Sequence, residues 1–298
     1  MTFVNNANGT GTLSGKATVS GIYPITFTAS NGVGTAATQS FTLTSETTVP
    51  ASGTACNGVY IGTFSGNIAV STGQNCIFVK GGATGNITET GGNLALSNAT
   101  VGGNVQIGGG TYSIGPSITI KGTLAIQSIP KGTAQNQVCG TTVSGITLQS
   151  DGTASTIGAG TPSCPGNTII GSLTLQANSA AITVSGNSIS GSLIDQSNTA
   201  AITLSANTVS GSLTDQSNSG ASVLSLNSIT GTLVVQSNSG TSDVSQNTVG
   251  GSMTDQGNTA LTQVVSNKVS GALLCQSNTS ITGSGDTASK LEGQCATF

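Results

Sequence analysis

The chain contains 298 residues, with nine acidic residues, six lysines, no arginine and no histidine, so its formal net charge is −3. Charged residues account for 5% of the sequence, against about 25% in an ordinary soluble domain. Six scattered lysines cannot build the basic face that a nucleic-acid-binding protein needs, and no apolar run reaches the ~20 residues that cross a bilayer. We therefore expect neither nucleic-acid binding nor membrane insertion.

The first predicted element is a β-hairpin within residues 9–47. Apolar residues alternate with polar ones in two runs that flank the turn sequence NGVG: Tyr23, Ile25, Phe27 and Ala29, then Phe41 and Leu43. Such alternation predicts two half-buried strands. The stretch YPITFTASNGVGTAATQSFTLT resembles the C-terminal half of the Ig-like modules of bacterial surface proteins, which implies that residues 1–47 are a partial Ig-like module. We expect residues 48–55 to form a linker.

The N-terminal sequence, MTFVNNANGT, has neither the basic nor the apolar segment of a signal peptide. The front strands of an Ig-like sandwich are also missing. We therefore expect a fragment, or a misplaced start, of a longer exported protein, with the hairpin uncovered. Two alternatives stay open: the hairpin packs on the first coils near Phe64 and Phe78, or a strand of another molecule completes it.

The second half of the chain can be written in rows of twenty residues without a gap. Column 3 of each row is Ile or Val, column 5 is Gly, column 7 is Leu or Met, column 10 is Gln and column 12 is Asn. A fixed period of this length predicts a stacked repeat fold. The rows begin at Asn167, Asn187, Asn207, Asn227, Asn247 and Asn267.

Three short strands are expected in each row. Columns 3, 5 and 7 alternate, so we place them on one face of a first strand, with the glycine giving room where opposite walls approach. A second strand is expected around Gln-x-Asn and a third at columns 15–18. Three strands in twenty residues make one turn of a β-solenoid that rises about 4.8 Å per coil.

A looser form of the same signature precedes the regular rows, at 64–68, 83–87, 101–105, 120–124 and 143–147. The sequence therefore predicts an all-β fold in which residues 56–298 form about eleven coils. The pattern resembles the right-handed parallel β-helices, including their inward asparagine ladders. That resemblance implies a right-handed solenoid.

Repeated amides are expected to form ladders in which each side chain bonds to its copy one coil away. The candidates fall in three columns: Asn167, Asn187, Asn207, Asn227, Asn247 and Asn267 in column 1; Gln176, Gln196, Gln216, Gln236, Gln256 and Gln276 in column 10; and Asn178, Asn198, Asn218, Asn238, Asn258 and Asn278 in column 12.

The six cysteines are spaced for disulfides between adjacent coils. Residues one coil apart lie roughly 5 Å from each other, inside the Cα–Cα window of a disulfide. The expected pairs are Cys56–Cys76, Cys139–Cys164 and Cys275–Cys295. No CxxC motif occurs, so a zinc or redox role is not expected, and the pairing indicates an oxidising compartment.

The positions of the acidic residues indicate whether the chain could be an enzyme. Many of the parallel β-helices that the pattern resembles are polysaccharide lyases or hydrolases, whose catalysis needs clustered carboxylates or basic residues. The regularly spaced acids here are Asp195, Asp215 and Asp255, all in column 9. We interpret them as turn-forming residues before Gln, with a Ca²⁺ site as the alternative. No catalysis, metal or cofactor is expected.

Columns 2, 4 and 6 are expected to point outward from a flat strand face. Flat threonine arrays on β-solenoids resemble the ice-binding surfaces of some antifreeze proteins, but Ser and Thr also suit any solvated strand face. The hydroxyl residues of this predicted face are Thr168, Ser172, Ser188, Ser190, Ser192, Thr208, Ser210, Ser212, Ser228, Thr230, Thr232, Thr248 and Ser252.

These features together predict a non-catalytic extracellular module of a bacterial secreted or cell-surface protein, serving as a stalk, a display surface or an adhesin-type β-helix. Two alternatives remain. The Ser/Thr face binds ice or a glycan, or the chain is the subunit of a self-assembling filament. The candidate partners are accordingly a glycan, ice or another copy of the chain.

Overall fold

The structure, a computed structural model, describes residues 1–15, 17, 19–48, 55–159 and 163–298. It is an all-β parallel solenoid of about 12 turns with a period of about twenty residues. The predicted fold class is therefore confirmed, with about one turn more than expected. Twelve strands stacked at ~4.8 Å make a rod about 55 Å long.

Each regular coil contributes one strand to each of three walls. Wall 1 is formed by columns 7–10 and contains twelve parallel strands. They are Ile68–Ser71, Ile87–Thr90, Val105–Ile107, Leu124–Gln127, Ile146–Gln149, Leu173–Gln176, Leu193–Gln196, Leu213–Gln216, Leu233–Gln236, Met253–Gln256, Ala272–Gln276 and Lys290–Gly293. Ile146 pairs with Leu124 and Leu173, which confirms the irregular coil predicted at 143–147.

Wall 2 is formed by columns 16–19 and follows wall 1 around the coil. Its strands are Asn93–Leu96, Thr111–Ile114, Asn136–Val138, Ser155–Gly158, Ile182–Ser185, Ile202–Ser205, Ser222–Ser225, Ser242–Ser245, Leu261–Val265 and Ser280–Ser284. The third predicted strand is thus present, one residue later than expected.

Wall 3 is formed by columns 2 and 3 and closes the coil. Its strands are Ala99–Val101, Ile118–Ile120, Thr141–Val143, Thr168–Ile169, Ser188–Ile189, Thr208–Val209, Ser228–Ile229, Thr248–Val249 and Lys268–Val269. In the first two coils, the long strands Gly58–Phe64 and Asn75–Ala83 span walls 2 and 3 together.

A bend at columns 4–6 corrects the prediction that columns 3, 5 and 7 share one strand. Ile189 ends a wall 3 strand, Leu193 begins a wall 1 strand, and Gly191 lies at the corner between them. A Cβ on Gly191 would lie 2.7 Å from the carbonyl carbon of Gly171 in the preceding coil. Glycine is needed because successive backbones touch at this corner, and not because opposite walls approach.

The other two corners of each coil contain a left-handed residue followed by asparagine. Ser197 has φ 58° and precedes Asn198, and Ala206 has φ 54° and precedes Asn207. A left-handed residue turns the chain sharply, and the asparagine that follows is buried. The equivalent residues with positive φ are Ala177, Ser217, Ser237, Gly257 and Ser277 in column 11, and Gly186, Leu226, Gln246 and Ser266 in column 20.

The core is a continuous stack of apolar side chains from all three walls. Column 3 and column 7 residues such as Val209 and Leu213 are 0% exposed, as predicted. Burying a Val or Leu side chain contributes about 1.5–3 kcal/mol. At the N-terminal end the core includes Tyr60, Phe64 and Phe78, whose ring centroids lie 5.2–5.9 Å apart.

Two hairpins precede the solenoid. Thr2–Asn5 pairs with Gly11–Ser14, and Gly21–Ala29 pairs with Ala37–Ser45, both antiparallel. The second hairpin is the predicted one.

The predicted apolar face of the second hairpin is partly covered from the first, because the Phe3 ring lies 5.2 Å from the Phe27 ring, which stacks on Phe41 at 5.3 Å. This contact between the two hairpins was not predicted from the sequence. Residues 19–22 lie beside residues 57–59 of the first coil.

The segment predicted as a linker, residues 48–55, is described only at its two ends. The short strand Thr47–Thr48 pairs with Tyr60 and Ile61, and Ala55 forms a bridge with Ala69. Residues 49–54 lie outside the described residues.

The C-terminal end of the solenoid is covered by the last residues of the chain. The 3-10 helix Gln294–Thr297 follows the final wall 1 strand. Cys295 is fully buried, and the Phe298 ring packs against Gly283 of the last wall 2 strand. The last residues of the chain therefore cover part of the core at this end.

Candidate functional site

The predicted hydroxyl face is not one flat strand. Column 2 residues lie on the outer surface of wall 3, whereas columns 4 and 6 lie in the bend between wall 3 and wall 1. The bend separates the three columns because wall 3 strands in the regular coils are only two residues long. The predicted binding face is corrected accordingly.

Column 2 by itself forms a longer row than the sequence analysis predicted. Eight exposed hydroxyl residues follow one another as parallel-strand partners: Thr100, Thr119, Thr142, Thr168, Ser188, Thr208, Ser228 and Thr248. Lys268 ends the row. The repeat signal could have found the first three threonines, because each lies one residue before the column 3 apolar residue of its coil.

Column 6 side chains bind backbone at the corner between walls 3 and 1. Ser172 Oγ accepts a hydrogen bond from the Ser192 N–H at 3.0 Å, and Ser212 Oγ accepts one from the Thr232 N–H at 3.1 Å. In the first coils asparagine does the same, since Asn86 Oδ1 accepts the Asn104 N–H at 2.7 Å. Part of the predicted binding face is therefore occupied by structural bonds.

The column 1 asparagines form the first predicted ladder. Each Nδ2 donates to the Oδ1 of the asparagine one coil later at 2.9–3.1 Å, and each backbone N–H donates to the same oxygen at 3.0 Å. The ladder begins at the Thr141 N–H and ends at Asp286. All six asparagines are buried. This first ladder satisfies amides that burial would otherwise make costly.

The column 12 asparagines form the second ladder. It begins at the Asp151 N–H, which donates to Asn178 Oδ1 at 2.8 Å, and it ends at Gln294. Each backbone N–H between these ends donates to the next Oδ1 at 2.7–2.9 Å. The side-chain amides of Asn218 and Asn238 donate to the Asp215 carboxylate and not to the next asparagine of the ladder.

The column 10 glutamines do not form the predicted ladder. They lie on the outer surface of wall 1, half-buried or exposed, and no hydrogen bond of their side chains occurs within the described part of the chain. Columns 9 and 10 are adjacent positions of one strand, so their side chains point to opposite sides of the wall. Column 9 faces the core. The glutamines therefore form an outward row in register from Gln127 to Gln276.

The column 9 aspartates lie in the core, which corrects their assignment to a turn. Asp195, Asp215 and Asp255 are each 0% exposed and point inward from wall 1. The same column contains Leu175 and Val235, which are also fully buried. Apolar residues in this column were the signal that the sequence analysis missed.

Asp195 and Asp215 are direct strand partners in adjacent coils. Asp215 Oδ1 accepts from Ser222 Oγ at 3.0 Å and from Asn218, and its Oδ2 accepts from Asn238 at 2.9 Å. Burial raises the pKa of Asp195 well above its usual range, and the Asp215 charge raises that pKa further. Asp195 is therefore the member of the pair that is protonated more readily.

Asp255 lies alone in the next stretch of the core, two coils beyond Asp215. Its Oδ1 accepts from Asn258 Nδ2 at 3.0 Å. Burial raises the pKa of Asp255 to about 7, although hydrogen bonds from Asn258 and Asn278 oppose the shift. Both protonation states of this carboxyl group are therefore populated near neutral pH.

A further buried carboxyl group anchors the irregular coil around residue 151. Ser155 Oγ donates to Asp151 Oδ2 at 2.9 Å and lies 2.8 Å from the Tyr112 hydroxyl. Burial raises the pKa of both Asp151 and Tyr112. All three side chains are buried, so the arrangement connects coils and presents no group to a substrate.

The three predicted disulfides are present. Cys56–Cys76, Cys139–Cys164 and Cys275–Cys295 have Cα–Cα distances of 5.1, 5.3 and 5.2 Å. These distances match the separation of adjacent coils. Disulfides of this kind are typical of an oxidising compartment.

Two absences within the described ranges concern metals and membranes. No group of three or more His, Cys, Asp or Glu residues there could hold a metal ion. No helix within those ranges is long and apolar enough to span a membrane.

The fold and these contacts define the class: a disulfide-bonded parallel β-solenoid with two buried asparagine ladders. Comparison of the chain with protein-family models, with curated proteins and with solved structures finds no match.

Proposed function

We propose that this chain is a non-catalytic structural module that works outside the cell as a stiff spacer or display surface. The proposal rests on where the polar residues of the repeat lie and on what they bond to. The asparagines of both ladders are buried and bond to neighbouring coils, and the column 9 aspartates are buried and accept from those asparagines. The cysteines are all paired. The side chains left on the outer surface are mainly hydroxyls and amides.

An extracellular location is supported by the disulfides, since such bonds persist in oxidising compartments. A bacterial surface protein is supported by the resemblance of the second hairpin to half of an Ig-like module. Under this proposal the hairpins belong to a string of modules, and the solenoid extends or displays it.

The test is to incubate the purified full chain with a panel of polysaccharides and to measure both chain cleavage and its own resistance to protease. We expect no release of reducing or unsaturated ends and slow digestion of residues 55–298. Depolymerisation of any polysaccharide would overturn the proposal.

A second experiment tests the extracellular location. The chain is alkylated in its native host without reduction, and free cysteine thiols would contradict export.

A second candidate function is binding through the wall 3 hydroxyl row. The specific observation in its favour is the uninterrupted series of eight exposed, in-register hydroxyls between Thr100 and Thr248. Such a row repeats every ~4.8 Å and presents donors and acceptors to a regular partner such as a glycan or ice. Measuring thermal hysteresis and glycan-array binding for the wild type and a Thr142→Lys, Thr208→Lys variant tests it.

The filament alternative is less well supported by the ends of the solenoid. Residues Gln294–Phe298 cover the last coil, and the first ladder stops at Asp286. End-to-end stacking would need this cover to move.

A further inference from the structure

The core contains a small polar region on the C-terminal side of Asp215. Ser222, Ser242 and Thr262 occupy successive inward positions of wall 2, where the two preceding coils have Ile182 and Ile202. The three hydroxyl residues are 0–2% exposed. Three consecutive coils thus replace a large apolar side chain with a smaller polar one.

The first of these hydroxyls is satisfied, and the other two are not. Ser222 Oγ donates to Asp215 Oδ1 at 3.0 Å. Ser242 Oγ, Thr262 Oγ1 and Asp255 Oδ2 are buried, and no group in the described part of the protein bonds to them. Buried polar atoms in proteins are almost always hydrogen-bonded, so we expect these three oxygens to have a hydrogen-bond partner.

The register brings these oxygens around one space. Asp255 and Thr262 stand in the same columns as Asp215 and Ser222, which bond directly at 3.0 Å two coils earlier. Ser242 is the strand partner of Thr262, about one coil rise away. Val235 and Cys275 are the strand partners of Asp255, and Ile281 is the other partner of Thr262. Cys275 and Ile281 therefore close the region on its C-terminal side, while Val235 and the satisfied hydroxyl of Ser222 adjoin it on the N-terminal side.

We propose that Ser242, Asp255 and Thr262 form a binding site for a buried water molecule inside the solenoid. A water has two donors and two acceptor positions, and buried waters typically make about three hydrogen bonds. It can donate to Asp255 Oδ2 and to one hydroxyl, and it can accept from the other. A Ca²⁺ ion fits less well because it takes six to eight oxygen ligands, and the site offers three free oxygens.

The site also explains how Asp255 can titrate inside the core. Burial raises its pKa to about 7, so the carboxylate form is populated in weakly alkaline solution. The bound water gives the Oδ2 atom of that form a donor, beside the Asn258 amide that donates to Oδ1.

The test is water-oxygen magnetic relaxation dispersion on the full, oxidised chain, which counts long-lived internal waters. The variant Ser242→Ile, Thr262→Ile copies Ile182 and Ile202 and fills the site. We expect it to lose about one long-lived water relative to the wild type. Ser245→Ala, on the outer surface of the same strand, is the control and should leave the count unchanged.

A crystal structure of the wild type gives an answer that does not depend on the variant folding. The expected result is one density peak within about 2.7–3.2 Å of all three oxygens. An empty region, an unchanged water count in the double variant, or a peak with the short distances and coordination of a metal ion would each overturn the proposal.

Discussion

Asn267 donates from Nδ2 to Asp286 Oδ1 at 2.9 Å, and the Asn267 backbone N–H donates to the same oxygen at 2.8 Å. Asp286 therefore ends the first ladder with a group that only accepts. Inside the ladder every residue must both accept from the preceding coil and donate to the following one. Exchanging amide and carboxylate should therefore change the stability of the protein differently at a position inside the ladder and at the end position, Asp286.

The first prediction exchanges these groups in both directions. Asn227→Asp removes the side-chain donor to Asn247 Oδ1 and sets a buried carboxylate against that oxygen, so we expect a loss of several kcal/mol in the free energy of unfolding. Asp286→Asn keeps the acceptor and should change stability by no more than about 1 kcal/mol. Urea denaturation at pH 7 measures both, and equal losses would contradict the proposed asymmetry.

The second prediction compares inward and outward positions of one strand. Leu213→Asp places a carboxylate in the apolar core with no donor set like that of Asp215, and it should cost several kcal/mol or prevent folding. Thr214→Asp lies on the outer surface of wall 1 and should change stability by less than ~0.5 kcal/mol. Circular dichroism melts compare the two variants. Similar effects would mean that the side-chain alternation of wall 1 is misassigned.

The third prediction concerns pH. The pKa of Asp255 is raised from 3.8 to about 7 by burial, so between these values the folded state holds a proton that the unfolded state has lost. Stability must then fall as pH rises from about 4 to about 7 and level off above. Asp195 shifts in the same direction.

Asp255→Asn is the matched test of this pH dependence, because asparagine keeps the shape and removes the ionisation. We expect the variant to be more stable than wild type at pH 8, by up to a few kcal/mol, and equal to it near pH 4. Denaturation midpoints across this range check the expectation. A wild-type stability that rises between pH 4 and 7 would contradict it.

The fourth prediction removes the C-terminal disulfide. Cys275→Ala with Cys295→Ala frees a twenty-residue loop, and a loop of that size corresponds to about 3 kcal/mol of stabilisation. Faster amide hydrogen exchange should be confined to the last coils and the 3-10 helix. The matching change at Cys56 and Cys76 should affect the first coils instead. Uniform loosening of the whole rod in either variant would contradict this local effect.

The residue spacing of the repeat was sufficient to predict the features that relate one coil to the next. The period, the inward positions of columns 3 and 7, the two asparagine ladders and the cysteine pairs all follow from placing equivalent residues one above another. Each is a relation between copies, so the sequence contains it directly.

The path of the chain within one coil was harder to predict. The pattern Val-x-Gly-x-Leu fits a single strand as well as two strands joined at a bend, because the bend is fixed by contact with the coil below at Gly191. Asp195, Asp215 and Asp255 were misplaced since carboxylates are seldom buried without a cation. The donors that make the burial of Asp215 tolerable, Asn218 and Ser222, lie outside its strand, at the following corner and on wall 2.

The ladders have a consequence for how the length of this protein can change. Between Asn167 and Asn278 every coil presents an asparagine of each ladder to the coil on either side, while Thr141, Asp151, Asp286 and Gln294 serve the ends. An in-frame deletion or duplication of one row in the gene therefore joins residues that already match. Such an event would shorten or lengthen the rod by ~4.8 Å and leave both termini as they are, so reach could evolve in single-coil steps.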